Sequence, residues 1–335
     1  MTYYLIIYIT MAYVASQTYG LNLILQTGNN MLVSRVVIQP VKKLKYSVPQ
    51  GSTLGPLLFI IYINDIPNIN KIAKFILYAD DANIIITGNC ISEINSKFTE
   101  LSSALVNWVS HNELILNTRK TNYMIFTRKR NLNLDMFTPK IGNIPIERKS
   151  VARFLGVLVD EKLSWTQHIA AIKTKMSRYI GVLYKLKNVL PLKARMLTFN
   201  SLVQSHLNYC SLIWGSSPKS NIETLFITQK KAMPGWTNYF YKEGTFPSHT
   251  KSSFTDLNVL TVHNIILKNI MIFMNKIHTF PHLLPTSVFQ TIPPDSPSLT
   301  STTDYASDWY SKYNSTPYNT STFFKGPLMQ CMLTL

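Results

Sequence analysis

The sequence predicts an α+β fold in its first half, an antiparallel sheet with packed helices, and an all-α arrangement after it. Three observations carry that expectation. Residues 75–87, FILYADDANIIIT, set two short apolar runs on either side of a few polar residues, the pattern of a β-hairpin. Between Ile91 and Asn112 the residues Ile91, Ile94, Phe98, Leu101, Leu105 and Trp108 recur at helical spacing and form one stripe. From Trp165 to Val189 and from Leu192 to His206 the same spacing returns, now interleaved with lysine and arginine.

Composition narrows the classes. At 335 residues the chain has room for two or three domains, and a hydrophobic content of 46% argues against global disorder. Nearly all of the net charge of +17 sits in the middle, where residues 101–240 hold 20 Lys and Arg against 6 Asp and Glu. Such a one-signed segment is what a surface tracking a phosphate backbone needs. A face kept for solubility would mix both signs; an acidic protein partner is the other reading. Cys90, Cys210 and Cys331 are far apart and odd in number, which fits neither a disulfide framework nor a CxxC metal site and suits a reducing compartment.

In chain order, residues 3–15, YYLIIYITMAYVA, are apolar but shorter than a membrane span. They read as a signal-peptide core lacking its basic flank, as a buried strand or helix, or as a misjoined gene start. No Asp or Glu occurs from Met1 to Asn64; the first is Asp65. Residues 46–51, YSVPQG, end in Gly51, where a ligand can approach the backbone closely, and Ser52 or Thr53 is placed to cap the next helix. Leu54, Leu57, Leu58, Ile61 and Tyr62 predict that this helix packs on a core.

The hairpin holds Asp80 and Asp81 at its tip. Adjacent carboxylates suit a hard cation such as Mg²⁺, which takes one or two of them together with substrate phosphates. An Asp-Asp pair is also simply a good turn former. Residues 114–126, LILNTRKTNYMIF, read as a loop leading into a strand and contain Lys120, with Arg128, Lys129 and Arg130 beyond it as contacts for a nucleic-acid backbone. IGNIP at 141–145 signals a turn, and Phe154–Val159 is a β-type run with Gly156 inside it, a mark of close backbone approach. Trp165 and His168 read as packing. Lys173, Lys175 and Arg178 lie on the basic side of the first long helix, and Pro191 separates it from the second. Phe254–His278 looks helical, and residues 289–322, rich in Ser, Thr and Pro, predict a poorly ordered tail.

Four blocks in this order, SVPQGSTLGPLLFIIYIN, YADD, LNTRKTNYMIF and FLGVLVDEKLSWTQHI, closely resemble the reverse transcriptase of non-LTR retrotransposons, the jockey-like arthropod group in particular. The resemblance runs from about Lys45 to Lys231. It implies a partial polymerase palm followed by an all-α thumb. It divides the chain into a degenerate or misjoined segment at 1–45, a partial palm at 46–130, a primer-grip-like hairpin at 131–163, a helical thumb at 164–240 and a C-terminal helical region with its tail at 241–335. It implies that Asp80 holds Mg²⁺ with Asp81 beside it, and that Lys120 serves the departing pyrophosphate. Gln50, Gly51, Tyr78 and Ala79 then lie beside template and incoming nucleotide, and Phe154, Leu155 and Gly156 form the primer grip.

The implied partners are an RNA template, a DNA primer and deoxynucleotides, without a membrane, inside the cell. In the family a block ahead of SVPQG supplies a further aspartate shared by both metal ions, and nothing from Met1 to Asn64 matches it. The expectation is therefore a polymerase fragment with little or no activity alone. The alternative is a non-catalytic basic nucleic-acid-binding relic; a secreted or membrane-associated protein rests on residues 3–15 and nothing else.

Overall fold

The computed structural model of the chain describes residues 3–12, 53–112, 114–117, 120–127, 137–236, 254 and 257–279. They fall into two compact units, Met1–Val151 and Ala152–Leu335.

The first unit is α+β. Its sheet runs β2 (Ala73–Tyr78), β3 (Asp81–Gly88), β1 (Tyr3–Ala12), β5 (Asn122–Phe126) and β8 (Glu147–Arg148), with the short β4 (Ile115–Leu116) also pairing β1. The apolar stretch near the N-terminus is thus a strand, and it lies at the centre of the sheet. It pairs antiparallel with β3 from Tyr3↔Gly88 to Thr10↔Asp81 and with β5 from Tyr4↔Phe126 to Tyr8↔Asn122. The strand is paired on both edges, one face is buried through Tyr3, Leu5, Ile7 and Ile9, and the other keeps Ile6 buried while Tyr4 is exposed, so its apolar residues run on without a strict alternation. That is why YYLIIYIT shows no period of two.

Tyr3, Leu5, Ile7 and Ile9 join Ala82, Ile84, Ile86, Tyr123 and Ile125 on one face. That face is covered by α2 (Ile91–His111) through Ile94, Phe98, Leu101, Leu105 and Trp108, the stripe read from the sequence. Each fully buried Leu or Ile of this layer contributes about 1.5–3 kcal/mol. Ile6 and Met124, 1% and 0% exposed, lie on the opposite face of the sheet. Asp65 is tied into the unit by the Trp108 indole, whose Nε1 donates to Oδ2 at 3.3 Å. The expected turn at Gly142 joins β6 (Lys140–Ile141) to β7 (Ile144–Pro145).

The helix α1 (Gly55–Ile63) departs from expectation. Among the described residues no side chain, Thr53 included, caps it, and Pro56 occupies its first turn; Ser52 lies outside the described residues. Leu54, Leu57, Leu58, Ile61 and Tyr62 are 40–64% exposed, and only Ile63 is buried. Apolar residues occupy the whole circumference of GPLLFIIYI, so packing one side against a core leaves the rest in solvent.

The second unit begins with the hairpin β9 (Val151–Phe154) and β10 (Val157–Asp160). Asp160 then redirects the chain: its two carboxylate oxygens accept the backbone N–H groups of Ser164 and Trp165, both at 2.9 Å. Those bonds support left-handed residues at Leu163 and Trp165, immediately before α3 (Thr166–Leu186). Helix α3 buries His168, Ile169, Ile172, Met176 and Leu183 and packs on α7 (Lys219–Trp236). Between them run α4 (Leu192–Phe199), a single π-helical stretch at Asn200–Gln204, α5 (Ser205–Asn208) and α6 (Ser211–Trp214). The last helix among the described residues, α8 (Val262–Thr279), begins later than the pattern from Phe254 suggested; Thr261 Oγ1 accepts from Asn264 N–H within its first turn.

Gln229, fully buried, joins α7 to this region by donating to the Leu260 carbonyl at 2.9 Å and accepting from Val262 N–H at 2.9 Å. At Gly215 a Cβ would stand 2.8 Å from Ile266, so α8 approaches α6 at the one residue without a side chain. Among the described residues no helix is long and apolar enough to cross a membrane. The proposed tail at 289–322 lies outside the described residues.

His168 is structural, as its sequence context suggested. Its Nδ1 accepts from Leu158 N–H at 3.3 Å, and burial, helped by nearby Lys175, pushes its pKa down to about 4. Because the folded state resists protonation while the unfolded chain takes a proton near 6.5, stability rises with pH between about 4 and 6.5 and is lost as pH falls through that window. A His168→Gln variant, followed by urea unfolding at a series of pH values, is expected to show a flatter stability profile there than the parent chain.

Candidate active site and nucleic-acid surface

The carboxylate pair sits where two strands meet in the tightest connection available. Tyr78 and Asp81 face one another as the last pair of the β2–β3 ladder, leaving Ala79 and Asp80 as a two-residue turn. Ala79 has φ 49°, the left-handed value that primed hairpin turns demand at their first central position. Asp80 therefore projects from the turn itself, while Asp81 is the first residue of β3. Tyr78, Ala79, Asp80 and Asp81 are all exposed.

The neighbour of this tip within the sheet is β1. Its register sets Thr10 opposite Asp81 and Ile9 opposite Ala82. No residue from Tyr3 to Ala12 is acidic, so the adjoining strand brings no second carboxylate to the tip. Among the described residues no group of three or more His, Cys, Asp or Glu is close enough to hold a metal ion.

Lys120 arrives at the same edge of the sheet by another route. Both β3 and β5 run antiparallel to β1, so their first residues lie together, and Lys120 precedes the Asn122↔Tyr8 pair by two positions. One strand separates it from Asp81, a gap of about 10 Å at ordinary strand spacing. Its backbone is fixed: Lys120 N–H donates to the Asn117 carbonyl at 3.0 Å and its own carbonyl accepts from Asn122 Nδ2 at 2.9 Å. The side chain is exposed.

Phe154, Leu155 and Gly156 form the tip of the β9–β10 hairpin. Gly156 lies in the turn rather than within a strand: Leu155 and Gly156 have φ 43° and 84°, and the β-type run is divided there. Two consecutive left-handed residues are what a two-residue hairpin turn of the type I′ class requires. Phe154 is buried and anchors the base of the turn.

Lys173, Lys175 and Arg178 are exposed on α3, Lys173 and Lys175 flanking the buried stripe and Arg178 lying away from it. Lys173 and Arg178 line a shallow groove with Ala170, Thr174 and Ser177, positions that share one helical face. Gln50, Gly51, Arg128, Lys129 and Arg130 lie outside the described residues.

Of the readings left open for residues 3–15, the buried strand is the one found, and its unbroken apolar run is a signal that a short buried helix shares. Two further structural contributors escaped the sequence reading. Asp160 was visible only as part of a block, and Tyr209, which touches the β9–β10 turn, gave no signal.

Comparison with known proteins bears on this arrangement directly. Residues 26–159 match the family model of reverse transcriptase (RNA-dependent DNA polymerase). This stretch is similar to a reverse transcriptase domain. A probable RNA-directed DNA polymerase from transposon X-element of Drosophila melanogaster is 25% identical over 256 residues, covering 74% of this chain and 27% of its own length. Its counterpart from transposon BS of the same fly is 28% identical over 237 residues, 68% of this chain and 25% of that protein. The RNA-directed DNA polymerase from mobile element jockey of Drosophila funebris is 25% identical over 204 residues, 58% of this chain and 22% of that protein.

The expected kinship with jockey-like non-LTR elements therefore holds. The chain spans about a quarter of the length of these relatives. No solved structure gives a significant match.

The reverse transcriptase match starts after β1. The central strand of the sheet thus comes from residues that the family model does not cover, while the hairpin with its two aspartates lies well inside the match. The left-handed conformation of Ala79 strains an L-residue by about 1 kcal/mol, which glycine does not incur. Ala79→Gly is expected to raise the stability of the first unit by about that amount in urea titration, without altering the far-ultraviolet circular dichroism.

Proposed function

We propose that the chain is the C-terminal part of an RNA-directed DNA polymerase, with the first unit a partial palm and helices α3 to α7 a thumb, acting on an RNA template and a DNA primer. The observation that carries the reading is the exposed Asp80-Asp81 tip of an antiparallel hairpin, at a sheet edge shared with Lys120. Resemblance to the family assigns Gln50, Gly51, Tyr78 and Ala79 to the template and incoming deoxynucleotide, Phe154, Leu155 and Gly156 to the primer end, and Arg128, Lys129, Arg130, Lys173, Lys175 and Arg178 to the nucleic-acid backbone.

The donor set suits one hard cation. Asp80 offers an exposed carboxylate on a stiff turn, with Asp81 adjacent, enough to share Mg²⁺ with substrate phosphates. A bound divalent ion would neutralise charge on the α-phosphate as the primer 3′ hydroxyl attacks it. Lys120 would donate a proton to the departing pyrophosphate, for which a flexible ammonium at the same edge is suited. A pair of ions about 3.5–4 Å apart needs a ligand common to both, and β1 brings Thr10, not an acid, opposite Asp81. The proposal is therefore of a polymerase fragment with little or no activity alone. Primer extension on poly(rA) with oligo(dT) and Mg²⁺ is expected to match the background of an Asp80→Ala variant; clear extension abolished by that substitution would overturn it.

A second reading, a non-catalytic nucleic-acid-binding relic, is favoured by the exposed basic side of α3. Phosphate contacts release counterions, so affinity for a template-primer duplex falls with salt. Replacing Lys173, Lys175 and Arg178 with alanine is expected to weaken binding and lower the slope of log affinity against log salt by about 1 per residue. Fluorescence anisotropy across a salt series measures it, and an unchanged slope would remove α3 from the interface.

A further inference from the structure

The turn that joins β9 to β10 is held from outside its own hairpin. Leu155 and Gly156 both adopt left-handed backbone, and leucine is strained there. Phe154 and Val157, on either side, are buried, so the turn is the projecting part of the hairpin. Its support comes from Tyr209. The tyrosine hydroxyl donates to the Leu155 carbonyl, and its ring carbon Cε1 stands 3.5 Å from the place a Cβ on Gly156 would take.

Tyr209 is itself fixed by the helices behind it. It lies at the break between α5 and α6, with φ −64° and ψ 120°, and its N–H donates to the Ser205 carbonyl at 3.0 Å. Its carbonyl accepts the indole Nε1–H of Trp214 at 2.8 Å, and Trp214 is completely buried. Cys210 follows in the left-handed region and turns the chain into α6. A buried indole thus locks a backbone break, and the break aims a phenol at a hairpin tip.

The exposure of Tyr209 separates this role from core packing. More than half of the residue, 52%, remains in solvent. Its hydroxyl is spent on a strained turn with an accessible surface.

We infer that Tyr209 is a positioning residue for the 3′ end of a primer strand, acting through the Leu155–Gly156 turn. Through the bond to the Leu155 carbonyl it favours the left-handed pair at Leu155 and Gly156, with Gly156 left exposed at the tip. This rests on the reading of the hairpin as a primer grip. Tyr209 need not touch nucleic acid itself; it selects the turn conformation that does. Loss of the hydroxyl alone leaves the ring over Gly156 and releases the Leu155 carbonyl, so the turn samples other conformations while the fold persists. One neutral hydrogen bond is worth a change of about fivefold in such a population.

The test uses the full chain bound to a DNA primer carrying a 3′-terminal 4-thiothymidine on an RNA template. After irradiation the labelled peptide is mapped by mass spectrometry. The expected result is labelling at residues 153–158 in the parent chain. Tyr209→Phe should reduce that yield about fivefold at equal amounts of bound duplex and an unchanged unfolding midpoint, and Tyr209→Ala at least as much. Equal labelling of the turn in the parent and in Tyr209→Phe would overturn the role of Tyr209 and leave the primer-grip reading standing. Duplex binding by the parent chain with no label at the turn would overturn the primer-grip reading and the inference with it.

Discussion

Strand β1 is the constraint on which the first unit depends. Its backbone pairs with β3 along one edge and β5 along the other, so within the sheet the hairpin that carries the aspartates and the strand that follows Lys120 are linked through it. A two-stranded hairpin alone is marginal in water. Paired in a sheet and backed by α2, the β2–β3 hairpin becomes stiff enough to hold a carboxylate in one place. Leu5, Ile6, Ile7 and Ile9, each at most 2% exposed, supply the burial that drives the pairing.

The same ladder sets the chemistry of the edge. Since β3 and β5 run in one direction on either side of β1, their leading residues emerge together, and the acids and Lys120 share an end of the sheet. The register of β1 sets Thr10 opposite Asp81. A lysine carries no electron pair for a cation when charged, so Lys120 does not stand in for a shared metal ligand. A hard cation at this tip must draw its remaining oxygens from substrate or water.

The second unit shows how backbone strain is placed and supported. Left-handed residues cluster at Leu155, Gly156, Leu163, Trp165 and Cys210, each at a change of chain direction. Asp160 holds one group through two backbone N–H bonds, and Tyr209 with Trp214 holds another. Such conformations persist only where surrounding contacts over-determine them. Here those contacts come from polar side chains at element ends, while the apolar stripe of α3 does the packing.

Sequence alone determined the hairpin around YADD, the faces of α2 and α3, the turns at Gly142 and Pro191, and the kinship of the four blocks with reverse transcriptases. Each of these is a local property: a period of residues, a breaker, or a motif read along a few turns of chain. Tertiary structure decided the rest. An unbroken apolar run such as YYLIIYIT has no period, so its place at the centre of the sheet follows only from which edges needed a partner. The exposure of α1 likewise depends on how much neighbouring surface exists to cover a helix that is apolar all round. Gly156 lies in a turn rather than a strand, and the Leu155 carbonyl there accepts from Tyr209, more than fifty residues away; no spacing in a sequence records a bond of that kind.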